Sequence, residues 1–247
     1  MVGISKINTL LEIDSLSKSY SKNLALDCVN FELNTGEVVS ILGDNGAGKT
    51  TLLKLLAGVI KKDSGDVKYK GIQFEKLGQS ARGKIGFLMH DSMMYNGLTG
   101  FENLQFYARI YNISPFKDRI NEVVEMMGVE GIKNIQISKM SHGQKKRFSI
   151  ARSILHNPEI LLMDEPETGL DSEGVIRLKK IIYGIRDEEF GTSLIATHNL
   201  DFAYSISDKI MFLSKGRLVG INSTDSMSLE RFKDMYSDFL SHGALNA

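Results

Sequence analysis

Two short runs in this sequence combine residue types suited to handling phosphate. The first is Gly43-Asp44-Asn45-Gly46-Ala47-Gly48-Lys49-Thr50. It ends the near-continuous apolar stretch 37–42 and opens a stretch of helical spacing, so it reads as a phosphate-binding loop between strand and helix. Its glycines let backbone amides curl around phosphate oxygens, and the helix behind it presents free N–H groups and a positive dipole end. Lys49 can reach the β- and γ-phosphates, and the Thr50 hydroxyl can ligate Mg²⁺. Gly43, Asn45, Gly46, Ala47, Gly48, Lys49, Thr50 and Thr51 are therefore the candidate nucleotide-binding residues. The second run, Ile160-Leu161-Leu162-Met163-Asp164-Glu165, reads as a buried strand delivering two carboxylates at its carboxyl end, where open α/β sheets bind ligands. Asp164 would hold Mg²⁺ through a water, and Glu165 would polarise an attacking water. For such a pair alone, a strand ending in a solvated acidic turn is the ordinary alternative.

The elements needed to position these groups are legible in the apolar periodicity. Residues 10–42 alternate apolar and polar between turn signals and read as strands. Residues 37–42 read as a buried strand of a parallel sheet. Leu52, Leu53, Leu55 and Leu56 fall at helical spacing, with Gly58 placed as a cap. A glycine-punctuated, strand-like region runs to about residue 88. From about 98 to 138 the pattern is helical: Thr99 with Glu102 makes a capping box, and Ser114-Pro115 opens a helix that stops at Gly128. Beyond Ser141, helices alternate with apolar strands at 160–164, 192–197 and 209–214, and Lys215-Gly216 turns a hairpin into 218–221. The tail from Met227 reads as a surface helix. The fold class is α/β with an inserted helical lobe.

Composition narrows the function. Thirty basic and thirty acidic residues cancel, so no global field argues for a nucleic-acid partner. A single cysteine, Cys28, excludes a disulfide framework and a multi-cysteine zinc site; its setting among alternating apolar residues predicts a small buried hydrophobe. The first thirteen residues lack the pattern of a targeting segment. No run of about twenty apolar residues could span a bilayer, so service to a membrane would come from the cytosolic side through a partner.

Four further segments decide among phosphate-loop proteins. Ser141-His142-Gly143-Gln144 precedes Lys145-Lys146-Arg147 and an apolar helix; Asp171 follows the carboxylates; His198 ends the strand 194–197; Tyr20 lies ahead of the phosphate loop. In this order and spacing, from about Leu10 to Ile221, the chain resembles the ABC ATPase family. The resemblance implies a P-loop, RecA-like α/β core with an N-terminal antiparallel β subdomain and an inserted helical subdomain. It places the ATPase domain at 1–225 with the helical insertion at about 98–140, and a helical tail at 226–247. It also implies an ATP-hydrolysing subunit of a transporter, with ATP and Mg²⁺ as cofactors, a homodimer or paired nucleotide-binding subunit, an integral membrane permease as partner, no nucleic acid, and a place on the cytoplasmic face of the membrane. By the same resemblance Tyr20 would stack on adenine, and Ser141, Gly143 and Gln144 would bind the γ-phosphate of ATP held by the opposite subunit. Asp171 would link the subunits, and His198 would act with Glu165 at the γ-phosphate.

Simpler readings stand beside these. Ser141 with Gln144 is an ordinary capping box, Asp171 an N-cap for the helix after it, and Tyr20 an exposed turn aromatic. Two residues depart from the family's pattern. His90 stands where Gln is usual; as a poor ligand for a hard ion, it would act through water or a phosphate hydrogen bond and make turnover pH-sensitive near neutrality. His142 stands where Gly is usual, either crowding the partner's nucleotide or facing solvent. Residues 91–106, with Ser92, Tyr95, Leu98, Thr99 and Glu102, most resemble exporter subunits of the haem-exporter branch of cytochrome c maturation. Met93, Met94 and Tyr95 would be exposed for permease docking or else packed beneath the helical lobe. The competing functions are a soluble ABC ATPase acting on nucleic acid or ribosomes, and a small-molecule kinase. The chain lacks the long coiled-coil insertion of the first and the second cassette usual in translation-type relatives. The kinase reading leaves Ser141–Gln144 and His198 without a purpose.

Overall fold

Among its described residues the chain builds two sheets. Its computed structural model describes residues 9–242 except 22, 189, 190 and 226. The targeting reading on 1–8 and the parts of the tail reading on 226 and 243–247 lie outside the described residues. In chain order the elements are β1 (Thr9–Tyr20), β2 (Asn23–Asn34), β3 (Val38–Leu42), α1 (Lys49–Leu56), β4 (Ser64–Tyr69), β5 (Ile72–Gln73), α2 (Phe74–Leu77), α3 (Gln79–Arg82) and β6 (Ile85–Leu88). The helical stretch follows, with α4 (Gly100–Ile110), α5 (Phe116–Met126), two 3₁₀ turns at Glu130–Ile132 and Ile137–Lys139, and α6 (His142–Ile154). The chain returns through β7 (Ile160–Asp164), α7 (Ser172–Glu188), β8 (Thr192–Ala196), α8 (Leu200–Ile206), β9 (Lys209–Ser214), β10 (Arg217–Ser223) and α9 (Leu229–His242).

The first sheet is antiparallel, in the order β2-β1-β4-β5; the second runs β10-β9-β3-β8-β7-β6. Its ladders are parallel except for the β9–β10 hairpin. The continuous apolar strands are explained by what covers each face. In β7, Ile160 and Leu162 join the core shared with α1 and the antiparallel sheet, while Leu161 and Met163 join the core under α5, α6 and α7. In β8, Leu194 and Ala196 divide from Ile195 in the same way. Side chains of period two therefore meet protein on both sides.

Helix boundaries follow their caps. The Thr99–Glu102 capping box opens α4, the Ser141–Gln144 box opens α6, and Gly128 just after α5 takes a φ of +64°. Two expectations are corrected. Cys28 is exposed, with a φ of +50°. Leu16 pairs with Val29 but Lys18 with Leu26, so β2 carries one extra residue here, and the resulting bulge turns Cys28 out of the alternation. The tail helix α9 is docked rather than superficial. Phe232 and Phe239 are buried and gather around Phe212 of β9, with ring centroids 6.4 and 5.2 Å away.

Candidate nucleotide site

The parallel sheet brings the sequence-predicted groups to one edge, because β3, β8 and β7 are neighbours and all end there. The loop after β3 fits close to its surroundings. A Cβ on Gly43 would lie 2.1 Å from the Leu213 carbonyl oxygen, and one on Gly48 would lie 2.5 Å from that of Ala25, so neither place admits a side chain. Gly48 caps α1 without any side-chain bond, leaving the first amides of the helix open toward an anion. Lys49 is buried and folds across the loop, its Nζ donating to the carbonyls of Gly43 (2.5 Å) and Asp44 (3.0 Å). Burial lowers its pKa, while the charges of Glu165, Asp164 and Asp44 work against the shift. The turn between β9 and β10 braces the loop, Gly216 N–H donating to the Ala47 carbonyl at 2.9 Å.

Thr50 Oγ1 donates to Asp164 Oδ2 at 2.8 Å, joining the loop to the end of β7. Glu165 then takes a φ of +48°, a left-handed backbone uncommon for a non-glycine residue. Its amide donates to the Ala196 carbonyl at 2.8 Å, and its Oε2 lies 2.7 Å from His198 Nδ1 and 3.2 Å from Thr168 Oγ1. Two side-chain contacts, Thr50 to Asp164 and His198 to Glu165, thus gather on the adjacent carboxylates that end β7, and the charges of both carboxylates act on Lys49. Tyr20, half-exposed, closes the β1–β2 hairpin opposite Asn23, and Lys18 lies over its ring at 5.7 Å. Asn45, Gly46 and Thr51 belong to the same loop and helix start.

A second constellation is separate. Ser141, Gly143, Gln144, Arg147, Gly169 and Asp171 line a cavity of about 540 Å³ whose walls include none of the five residues above. Ser141 Oγ accepts from Gln144 N–H at 3.2 Å, and Gln144 Oε1 accepts from Ser141 N–H at 2.9 Å, so both side chains cap α6. Asp171 accepts from Gly174 N–H at 2.9 Å, capping α7, and from Arg147. The Gly174 amide first, then the Arg147 guanidinium, hold its carboxyl below the usual range. His142 is exposed, yet its ring lies against Gly169, where a Cβ would meet His142 Cδ2 at 2.5 Å.

His90 is exposed in the loop after β6. Of the three residues that follow the sequence's suggestion of docking, Met93 and Tyr95 are exposed and Met94 is buried. Tyr95 packs edge-on to Phe106 at 5.1 Å, and Tyr107 Oη donates to the Met93 carbonyl at 2.6 Å.

Sequence reasoning missed Lys146 and Glu167. Lys146 is buried and its Nζ donates to the Glu165 carbonyl at 2.7 Å; Glu167 is buried and accepts from Thr197 Oγ1. Burial lowers the Lys146 pKa and raises that of Glu167. A signal for Lys146 was present, since it shares the i, i+3, i+4, i+7 face of α6 with buried Ser149, Ile150 and Ser153.

Comparison with known proteins completes the picture. Residues 26–168, more than half the chain, match the family model for the ABC transporter. The chain belongs to the ABC transporter family. It is 33% identical to the bacitracin transport ATP-binding protein BcrA of Bacillus licheniformis, over 86% of this chain and 69% of that one. It is 31% identical to the sulfate/thiosulfate import ATP-binding protein CysA of Bradyrhizobium diazoefficiens, over 88% and 64% respectively. Its fold is similar to the dimeric, post-hydrolysis ATP-binding cassette MJ0796 bound to ADP and Pi, with a TM-score of 0.81 and 27% identity, covering 88% of this chain and all of that one. The chain is accordingly an ATP-binding subunit of an ABC transporter and an ABC ATPase, with the expected antiparallel β subdomain beside an α/β core. Among its described residues no helix is long and apolar enough to cross a membrane.

Proposed function

We propose that two ATPase subunits, identical or paired, close around two ATP molecules, and that closure drives a separate integral membrane permease from the cytoplasmic face. The observation that carries this reading is the division of phosphate-binding chemistry into two constellations that share no residue. One holds Lys49, Thr50, Asp164, Glu165 and His198; the other presents Ser141 and the N-terminus of α6. Each is half of a site, and a facing copy supplies the other half. The dimeric form of the cassette MJ0796 supports it. In this reading 1–225 is the ATPase domain with about 98–140 inserted, and 226–247 is its tail.

The roles follow from the chemistry. The amides of Gly43 to Thr51, Asn45, Gly46 and Ala47 among them, cradle the phosphates. Lys49 leaves its loop carbonyls for the β- and γ-oxygens. Tyr20 stacks on adenine, a contact of roughly 1–3 kcal/mol. Thr50 and Asp164 offer hard oxygen donors 2.8 Å apart, a set that fits Mg²⁺. When bound, that ion would neutralise charge on the β- and γ-phosphates. Glu165 polarises the water that attacks the γ-phosphorus as ADP leaves, and His198 orients Glu165 and the γ-phosphate. His90 reaches phosphate by a hydrogen bond or through water. Ser141, Gly143 and Gln144 bind the γ-phosphate held by the other subunit, with Asp171 at the seam.

Binding energy drives transport because ATP favours the closed state over the open one. The exposed apolar surface of Met93, Tyr95 and Phe106 is the proposed permease contact. On the pattern of residues 91–106 we read an export subunit resembling the haem exporters; import in the name of CysA makes identification of the co-purifying permease the test of direction. Replacing Glu165 by Gln is expected to slow hydrolysis by roughly 10²–10⁴ and to trap an ATP-bound dimer in size-exclusion chromatography. Normal hydrolysis by Glu165→Gln would remove Glu165 as the base.

A further inference from the structure

An ammonium group is unfavourable in a protein interior unless partners compensate for its lost water. Lys146 occupies such a place on α6, 5% exposed, where the buried residues on its own face are Ser149, Ile150 and Ser153. Its Nζ donates to the backbone carbonyl of Glu165 at 2.7 Å. The charges that face it are Glu167 foremost, then Asp164 and Glu165. Glu167 is buried too, 8% exposed, with Oε2 lacking a partner among the described residues and Oε1 accepting from Thr197 Oγ1, one residue before His198.

These contacts converge on a residue whose backbone needs support. Glu165 has a φ of +48°, a strained conformation for a residue with a side chain, one that persists only where its surroundings fix it. The Ala196 carbonyl holds the peptide group before its Cα and Lys146 the peptide group after it, so the planes on both sides of the strained residue are fixed. We infer that Lys146, with Glu167 as its counter-charge, is a positioning residue for Glu165 that ties the carboxylate's backbone to the helix bearing Ser141. Lys146 lies five residues along α6 from Ser141, a rigid span of about 7.5 Å. The inference rests on the two-subunit reading above for its consequence. The N-terminus of α6 touches the nucleotide of the opposite subunit while Glu165 serves its own, so Lys146 passes engagement at one site to carboxylate geometry at the other.

The test compares Lys146→Met, which fills the volume without a donor, with Lys146→Gln, which keeps a donor without the charge. Steady-state ATPase kinetics of the full chain are expected to show at least a tenfold fall in kcat for Lys146→Met, with KM for ATP within twofold. Lys146→Gln should recover to within threefold of the parent. A Lys146→Met kcat within threefold of the parent overturns the inference, as does a loss that Lys146→Gln fails to repair. If Lys146→Met does not fold, Lys146→Met with Glu167→Gln removes both charges together and carries the same expectation. Size-exclusion chromatography with ATP separates the two ideas: Glu165→Gln, with or without Lys146→Met, is expected to dimerise. Failure of Glu165→Gln alone sinks the two-subunit reading, whereas a dimer lost only with Lys146→Met shows a structural role and overturns this inference.

Discussion

His156 makes the junction of the helical stretch with the sheet sensitive to acid. Its ring stacks on Tyr111 at a centroid distance of 3.9 Å and an interplanar angle of 7°, and its Nε2 lies 3.0 Å from the Ile85 carbonyl. The carbonyl can only accept, so Nε2 carries the hydrogen and Nδ1 is left bare; Nδ1 is buried with no partner among the described residues. Protonating Nδ1 would bury a charge near Arg152 and Arg119. Burial foremost, then those guanidinium groups, bring the pKa down to about 4, against the Ile85 bond that raises it. The unfolded chain therefore takes up a proton near pH 6.5 that the folded chain refuses until about pH 4. Stability from this group is complete above pH 6.5 and is lost as the pH falls through that window. The loss comes to about 2 kcal/mol at pH 5 and ~3 kcal/mol at pH 4, a sizeable share of the roughly 5–15 kcal/mol that holds a typical domain together. Urea unfolding at pH 7, 6, 5 and 4 checks this against His156→Gln, which keeps a donor for Ile85 and titrates nowhere in the range. Between pH 7 and 5 the parent is expected to lose about 2 kcal/mol more than the variant. Parallel pH profiles for the two proteins would refute the reasoning.

Two packing predictions accompany it. A Cβ on Gly100 would lie 2.4 Å from the ring of buried Phe148, so Gly100→Ala is expected to cost about 1–3 kcal/mol through overpacking, read as a lower thermal midpoint. Phe232→Ala empties a fully buried place beside Phe212 and Tyr204. Roughly 3–5 kcal/mol of stability is expected to go with it, with faster hydrogen exchange along α9; an unchanged midpoint would mean that α9 contributes no stability.

The chemistry-bearing edge of the fold was legible because its signals are local. A glycine-rich turn between an apolar strand and a helix, and carboxylates ending a second apolar strand, name their own structural context. What escaped depends on contacts across the chain. Cys28 follows the alternation of β2 until a bulge, set by pairing with β1, turns it outward. The α9 aromatics read as surface residues because their partner, Phe212, lies on another element. Met94 cannot be told from Met93 by type, only by which faces the core. Lys146 sits in the run Lys145-Lys146-Arg147, where a charge is ordinarily solvated; its burial follows from β7 ending beneath α6.

The strand order has a consequence for synthesis. The ladder neighbours of β3 are β8 and β9, both of them later in the chain. Until residue 192 has left the ribosome, the strand Val38–Leu42, apolar except for Ser40, has both edges bare in the nascent polypeptide. Such an edge invites pairing with foreign chains, so the same topology that gathers the phosphate-handling groups also obliges the newborn subunit to shelter its central strand while the rest is translated.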